Sequence, residues 1–259
     1  MTGGGAGSDR PDHDPDPALT EARLALSGGG PLVVLTGAGM SAESGVPTFR
    51  DAQTGLWERY DPAALATPEA WARDRDTVWA WYRWRENLIS HAQPNAGHLA
   101  VARAAERRDV IVVTQNVDDL HERAGSPVVH HVHGSLFSHR CDTCGTPMDV
   151  GPPPEAAVGR LAPPHCIACG GRARPGIVWF GEMLPPGPWE ESVAAIDRAA
   201  AVLVVGTSGL VHPAASLPDL AAEAGTPVVE VNPGPSGLTP AVTVHVRATA
   251  GEAVPEILS

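Results

Sequence analysis

The 259 residues contain no lysine: all 18 basic side chains are arginine. The chain therefore carries no ε-amine that could be acylated, and only an N-terminal amine remains for that chemistry. Coding bias explains the arginine preference most simply, since Ala, Gly and Pro are abundant as well. Long hydrophobic runs are also missing. No stretch reaches the roughly 18 apolar residues of a membrane-spanning helix, so no membrane association is expected. No basic-then-apolar leader opens the sequence, and a cytoplasmic protein is expected. Basic charge is in the minority, 18 residues against 30 acidic ones, for a net charge of −12. That balance lacks the footprint of non-specific nucleic-acid binding. It suits basic partners, or simple solubility. A monomer is expected.

A hydrophobic content of 43% is enough for a sizeable core. Residues 1–17 are rich in Gly, Pro and Asp and read as a disordered tail. Beyond them "PLVVLT", "DVIVVTQN", "AVLVVGTS", "TPVVEVN" and "VTVHV" are short continuous apolar runs, the pattern of buried parallel strands. Helical stretches such as "AGHLAVARAAERR" and "HPAASLPDLAAEAG" lie between them. This alternation predicts an α/β fold with a doubly wound parallel sheet. The ligand of such a sheet sits at the carboxyl ends of its strands, where "TGAG", "TQN" and "GTS" stand. Two stretches interrupt the alternation. Residues 51–94 hold five of the seven Trp and look helical; residues 139–175 are rich in Cys, Pro and Gly. The sheet domain is accordingly 18–50, 95–138 and 176–259, with two inserts.

Several motifs carry chemistry. Gly37, Gly39 and Ala42 match G-x-G-x-x-A after a strand, a spacing that brings amides and a helix N-terminus to a pyrophosphate. The acidic residue that usually binds ribose is missing from the next strand, and a Gly turn made for packing is the alternative. Cys141-x-x-Cys144 and Cys166-x-x-Cys169 are the only cysteines. Their spacing fits a tetrahedral zinc site, closed by four thiolates and hence structural, with two disulfides as the alternative. His130, His131 and His133 cluster in "VVHHVHGSL", and one of them could act as a general base near neutral pH or be structural. "RPGIVWFGE" reads as an edge strand open to an extended peptide, or as a core strand.

In "VWAWYRWRENLI" the helical period gathers Val78, Trp81, Tyr82, Leu88 and Ile89 on one face. Arg83 and Asn87 fall opposite, with Glu86 on the flank. Arg85 stands inside the apolar face, where a guanidinium calls for an anion. That anion is either a ligand or an internal carboxylate such as Asp61 or Glu69.

In order along about Pro31 to Leu258, "GAGMSAESGVPTFRD", "GLW", "TQNVDDLHERAG", "HVHGSL", the paired Cys knuckles, "VWFGE", "GTS" and "VN" resemble the sirtuin family of NAD-dependent protein deacylases. The resemblance implies a Rossmann-like NAD-binding domain with a helical insert carrying a cofactor loop and a small zinc-binding domain. It implies NAD and a structural zinc as cofactors and acyl-lysine proteins or peptides as partners. It assigns Gly37, Ala38, Gly39, Ala42, Phe49 and Arg50 to NAD, and Gln115, Asn116 and Asp118 to the nicotinamide and ribose. Gly206, Thr207, Ser208 and Asn232, with the Ala250 backbone, would hold the adenosine end. His133 matches the catalytic base, while Val178, Trp179, Phe180 and Gly181 would pair with the substrate backbone.

The implied reaction releases lysine, nicotinamide and O-acyl-ADP-ribose. Mono-ADP-ribosyl transfer from the same NAD site is the alternative. Tyr82-x-x-Arg85 resembles the pair with which the family's class III subgroup binds the carboxylate of succinyl-, malonyl- or glutaryl-lysine. Removal of succinyl and malonyl groups, together with acetyl, is therefore expected. "NPGPSGLTP" departs from the family pattern by its Pro and Gly content and leaves the adenine contacts open.

Overall fold

The structure is a computed structural model and describes residues 16–47 and 61–259. Phe49 and Arg50, both expected at NAD, lie outside the described residues. Helix α1 (Pro17–Leu26) starts where Asp16 accepts a hydrogen bond from the Ala18 amide and Pro17 takes a position that needs no donor. It is followed by β1 (Leu32–Thr36), α2 (Pro62–Leu65), α3 (Pro68–His91) and α4 (Ala96–Ala104). Next come β2 (Val110–Thr114), α5 (Leu120–Ala124), β3 (Val129–His131), β4 (Gly134–Cys141) and β5 (Ala173–Ile177). The chain continues through α6 (Pro186–Arg198), β6 (Ala201–Val205), α7 (Ser216–Glu223), β7 (Val228–Val231), β8 (Val244–Val246) and α8 (Ala250–Ile257). Among the described residues no helix is long and apolar enough to cross a membrane.

Six strands form one parallel sheet in the order β3-β2-β1-β6-β7-β8. All five residues of β1, β2 and β6 are buried, which is why these strands read as unbroken apolar runs. Leu26 of α1, Val101 of α4 and Val254 of α8 pack with Val34, Val112 and Leu203 on one face. Ile196 of α6 and Leu217 of α7 pack with Val33, Val113 and Val204 on the other. Strand order reverses between β1 and β6, which opens a crevice at their carboxyl ends.

A second core joins α2 and α3 to the antiparallel pair β4 and β5 through Trp71, Trp79, Trp81, Leu136, Ile177 and Trp179. Helix α3 breaks at Asp74 (φ −151°, ψ 74°) and restarts there. The Asp74 carboxylate caps the new turn, accepting from the Thr77 amide at 3.3 Å and the Thr77 hydroxyl at 2.8 Å. The single apolar face expected for this helix proves too simple. Arg83 and Glu86 are buried as well, paired at 2.8 Å, with His139 of β4 3.2 Å from Glu86. The module around β4 covers the side of α3 that periodicity left polar, so these charges are matched internally.

Candidate active site

The carboxyl ends of β1, β2 and β6 meet. The Gly37 amide donates to the Val205 carbonyl at 3.0 Å, and the Gly39 amide donates to the Gly206 carbonyl at 2.8 Å. A Cβ on Gly39 would lie 2.6 Å from the Gly206 Cα, so glycine lets the two loops touch. This arrangement differs from the one expected from the sequence. The Gly37 and Gly39 amides hold the β6 loop rather than waiting for a pyrophosphate. Two short 3-10 turns, Ala38–Met40 and Ala42–Ser44, stand where a helix was expected to start. The turns are pinned from two sides. Asn95, the N-cap of α4, donates to the Met40 carbonyl and the Ser44 hydroxyl. Glu43 accepts from the Gly251 amide at 2.6 Å and the Thr249 hydroxyl at 3.1 Å, at the start of α8.

A cavity of ≈ 590 Å³ opens between these loops and the second core. Gly37, Ala38, Gly39, Gln115, Asn116, Asp118, His133, Gly206, Thr207, Ser208 and Asn232 line it, as do Arg85 and Val178, Trp179, Phe180 and Gly181. Three expected residues do not. Ala42 is exposed on the outer turn, Ala250 is buried in the sheet core, and Tyr82 is 2% exposed without reaching the wall. Ser41, inside the quoted glycine motif but not assigned a role, proves central. Its hydroxyl donates to Asp118 at 2.9 Å and accepts from the Asn116 side chain at 3.1 Å, while that same amide donates to the Gly37 carbonyl.

Burial raises the Asp118 pKa, opposed by the hydrogen bonds from the Leu120 amide and Ser41. Nδ1 of His133 lies 3.1 Å from the Gln115 carbonyl, so it carries the proton and leaves Nε2 as an acceptor. Burial pushes the His133 pKa below the ordinary histidine value, with the Gln115 contact acting the other way.

The "RPGI" half of "RPGIVWFGE" is strand β5, paired with β4 in the two-stranded sheet, while "VWFGE" follows it outside any strand. The Val178 amide donates to the His133 carbonyl, the Trp179 amide to Glu182 and the Phe180 amide to the Ala66 carbonyl, each at 2.9 Å. The Trp179 indole donates to the Tyr82 hydroxyl at 3.1 Å. The Arg174 guanidinium sits 3.6 Å above the Trp179 ring and holds Glu182 at 2.8 and 2.9 Å. Arg85 is 5% exposed, its guanidinium 5.1 Å from the Trp81 ring. Burial lowers its pKa, while Tyr82 and Asp118 act electrostatically the other way. Asp61, one of the internal partners considered, instead caps α2 by accepting from the Ala63 amide.

The Cys141, Cys144, Cys166 and Cys169 sulfurs all lie within 4.8 Å of one another, and none forms a disulfide. Four thiolates about 2.3 Å from a central zinc stand about 3.8 Å apart, so the donor set fits a closed tetrahedral site. Backbone amides support it: Thr143 donates to the Cys141 sulfur and Gly171 to the Cys169 sulfur, both at 3.4 Å.

Residues 37–213 match the model of the Sir2 family. The chain is similar to an NAD-dependent protein deacylase of Mycobacterium tuberculosis, 52% identical over 229 residues, which covers 88% of this chain and 96% of the relative. A Corynebacterium glutamicum protein of the same description is 48% identical over 88% of this chain and 90% of the relative. Among solved structures, a Sir2 homologue in complex with NAD superimposes with a TM-score of 0.84 at 45% identity, covering 92% of each chain. A Sir2 mutant with a deacetylated p53 peptide and 3'-O-acetyl ADP ribose gives 0.78 at 28% identity, over 93% of this chain and 97% of that one.

Proposed function

The chain belongs to the Sir2 family and is an NAD-dependent protein deacylase, and we propose that it removes acidic acyl groups, succinyl and malonyl, from lysine as well as acetyl. The observation that carries this reading is Arg85, a buried guanidinium on the cavity wall. Apolar neighbours Val46, Ala66 and Ile89 line the same cavity. Asp118 acts on Arg85 through its field, with its own oxygens engaged by Ser41 and the Leu120 amide. A terminal acyl carboxylate would meet Arg85 in a low dielectric, where a two-pronged charge-assisted contact is strong.

The Gly37–Gly39 turn, Gln115–Asp118, Gly206–Ser208 and Asn232 would hold NAD at the switch point of the sheet. When bound, NAD supplies a ribose carbon made electrophilic by the departing nicotinamide. His133 would accept a proton at Nε2, its ring oriented through Nδ1 by the Gln115 carbonyl. Burial keeps that ring neutral at physiological pH, as a general base requires. With three amides of Val178–Phe180 already engaged, a substrate peptide would pair with carbonyls of this segment and the Gly181 amide. Mono-ADP-ribosyl transfer is not favoured, since relatives near 50% identity are described as deacylases.

Matched succinyl- and acetyl-peptides test the reading through kcat/KM of the wild type and Arg85→Met. Leaving a carboxylate buried without its partner costs about 2–5 kcal/mol, so desuccinylation should fall by about 30-fold or more. Deacetylation should change far less. Full desuccinylase activity in Arg85→Met rules the carboxylate role out.

A further inference from the structure

Three histidines stand in "VVHHVHGSL", and the deacylase reading uses only the last. His130 pairs at 3.0 Å with the exposed Glu191 of α6. His131 is held differently. Strand β3 sets it opposite Thr114, the last residue of β2, so its ring lies against the segment that leaves β2. Its Nδ1 is 3.1 Å from the Asn116 carbonyl, and its Nε2 is 2.6 Å from a Glu122 carboxylate oxygen. Two residues further on, His133 makes the matching contact to the Gln115 carbonyl. Two consecutive carbonyls of a cavity-lining segment are thus gripped by two rings. We infer that His131 is a positioning residue for NAD binding: clamped by Glu122, it holds the Asn116 carbonyl and so sets where Asn116 and Asp118 stand in the cavity wall. This rests on the reading that the Gln115–Asp118 segment faces NAD.

The two rings do different work because their partners differ. His133 has an acceptor at Nδ1 and is neutral with Nε2 bare. His131 has a carbonyl at one nitrogen and a carboxylate at the other, so only the doubly protonated, cationic ring donates to both. Burial opposes that charge, but the Glu122 hydrogen bond and charge, the Asn116 carbonyl and the charge of Asp118 raise its pKa above the ordinary value. The groups facing it are Glu122 and His121 on α5 and Asp118 in the loop. His121 is held well below the ordinary histidine value by burial, then by His98 and His131, and stays neutral. Glu122, its side chain 43% exposed, is lowered by the hydrogen bond and charge of His131 against partial desolvation, and stays ionised. A neutral His131 would keep one proton for two acceptors, and one of the two contacts would turn repulsive. The clamp is therefore complete at low pH and lost as pH rises through the raised pKa.

The test is the NAD dissociation constant measured by calorimetry from about pH 6 to about pH 9, with thermal denaturation checking that each variant folds. Wild type should bind NAD about threefold to tenfold more weakly at the alkaline end, one hydrogen bond's worth of affinity. Glu122→Gln should move that transition to lower pH. His131→Asn, which keeps a donor but cannot titrate, should flatten it. A Glu122→Gln profile that overlays the wild type, or a flat wild-type profile, overturns the inference. Asn116→Ala separates the two levels of failure. If it loses NAD affinity while the Glu122 and His131 variants match wild type, the clamp alone is wrong. If it too binds normally, the placement of the NAD site falls as well.

Discussion

Tyr82 and Arg85 share a helix face, and their spacing announces as much, but the two meet different surroundings. Arg85 reaches the cavity wall, whereas the Tyr82 hydroxyl accepts from Trp179, 97 residues away in sequence. No periodicity on α3 could reveal that partner, because it arrives from beyond the zinc-binding stretch. Burial pushes the Tyr82 pKa up, so the phenol stays neutral; with its oxygen accepting from the indole, its own proton is free to point elsewhere. Trp179 thereby fixes Tyr82 behind the wall that Arg85 reaches, and Arg174 and Glu182 hold Trp179. Trp179→Phe keeps an aromatic ring beside Arg174 but removes the indole N–H together with its fused ring, so the acetyl-peptide serves as the reference for general damage. The variant should lower kcat/KM for succinyl-peptide about threefold to tenfold relative to acetyl-peptide, the value of one hydrogen bond. Equal losses on both peptides would show that Tyr82 has no part in acyl selection.

At the level of elements, the strands were legible because a strand buried on both faces leaves an unbroken apolar run. The three loops converging on one site followed from the switch-point rule. What escaped was the use to which the glycine loop puts its amides. G-x-G-x-x-A marks a close backbone approach, yet it does not say to what, and here the approach is to the β6 loop. The second buried side of α3 escaped for a related reason: Arg83 and Glu86 are polar on any helical wheel, and only the β4 module beside them makes the position internal. The loop contact can be tested directly. In Gly39→Ala the new Cβ meets Gly206 backbone at 2.6 Å, so the loops after β1 and β6 must shift apart. Overpacking of this kind costs about 1–3 kcal/mol, or roughly 2–4 °C in Tm for each kcal/mol in a chain of this size. NAD affinity should fall with it. Gly187→Ala, in helix α6 where nothing lies within 4 Å, is the control and should lower neither. Indistinguishable melting curves for the two variants would mean that the loops yield freely.

The molecule as a whole is two cores with the cavity along their seam, and a pair of buried histidines lies beneath the glycine loop. His98 and His121 pack edge to face, ring centroids 4.8 Å apart. His121 also lies 3.3 Å from the Thr36 hydroxyl at the end of β1. Burial pushes the His98 pKa down to about 4 and that of His121 well below normal. In the unfolded chain both titrate near about 6.5. Between those values the unfolded state binds more protons at these two sites, so the stability the pair contributes is full above about pH 6.5 and declines as pH falls toward about 4. The urea midpoint should follow that course, and His98→Gln should flatten it; an unchanged slope in the variant would place the acid sensitivity elsewhere. The histidine pair, like the division into two cores, lay beyond the sequence because its members meet only after α4 and α5 have packed. Glu43 adds a further consequence, one of timing. The outer turn beside the glycine loop is among the first parts of the fold to be synthesised, yet its Glu43 carboxylate is anchored by an amide 208 positions later. Both Glu43 contacts to the start of α8 can form only after nearly the whole chain has been made, whereas the Asn95 contacts to the same turn can form as soon as α4 packs.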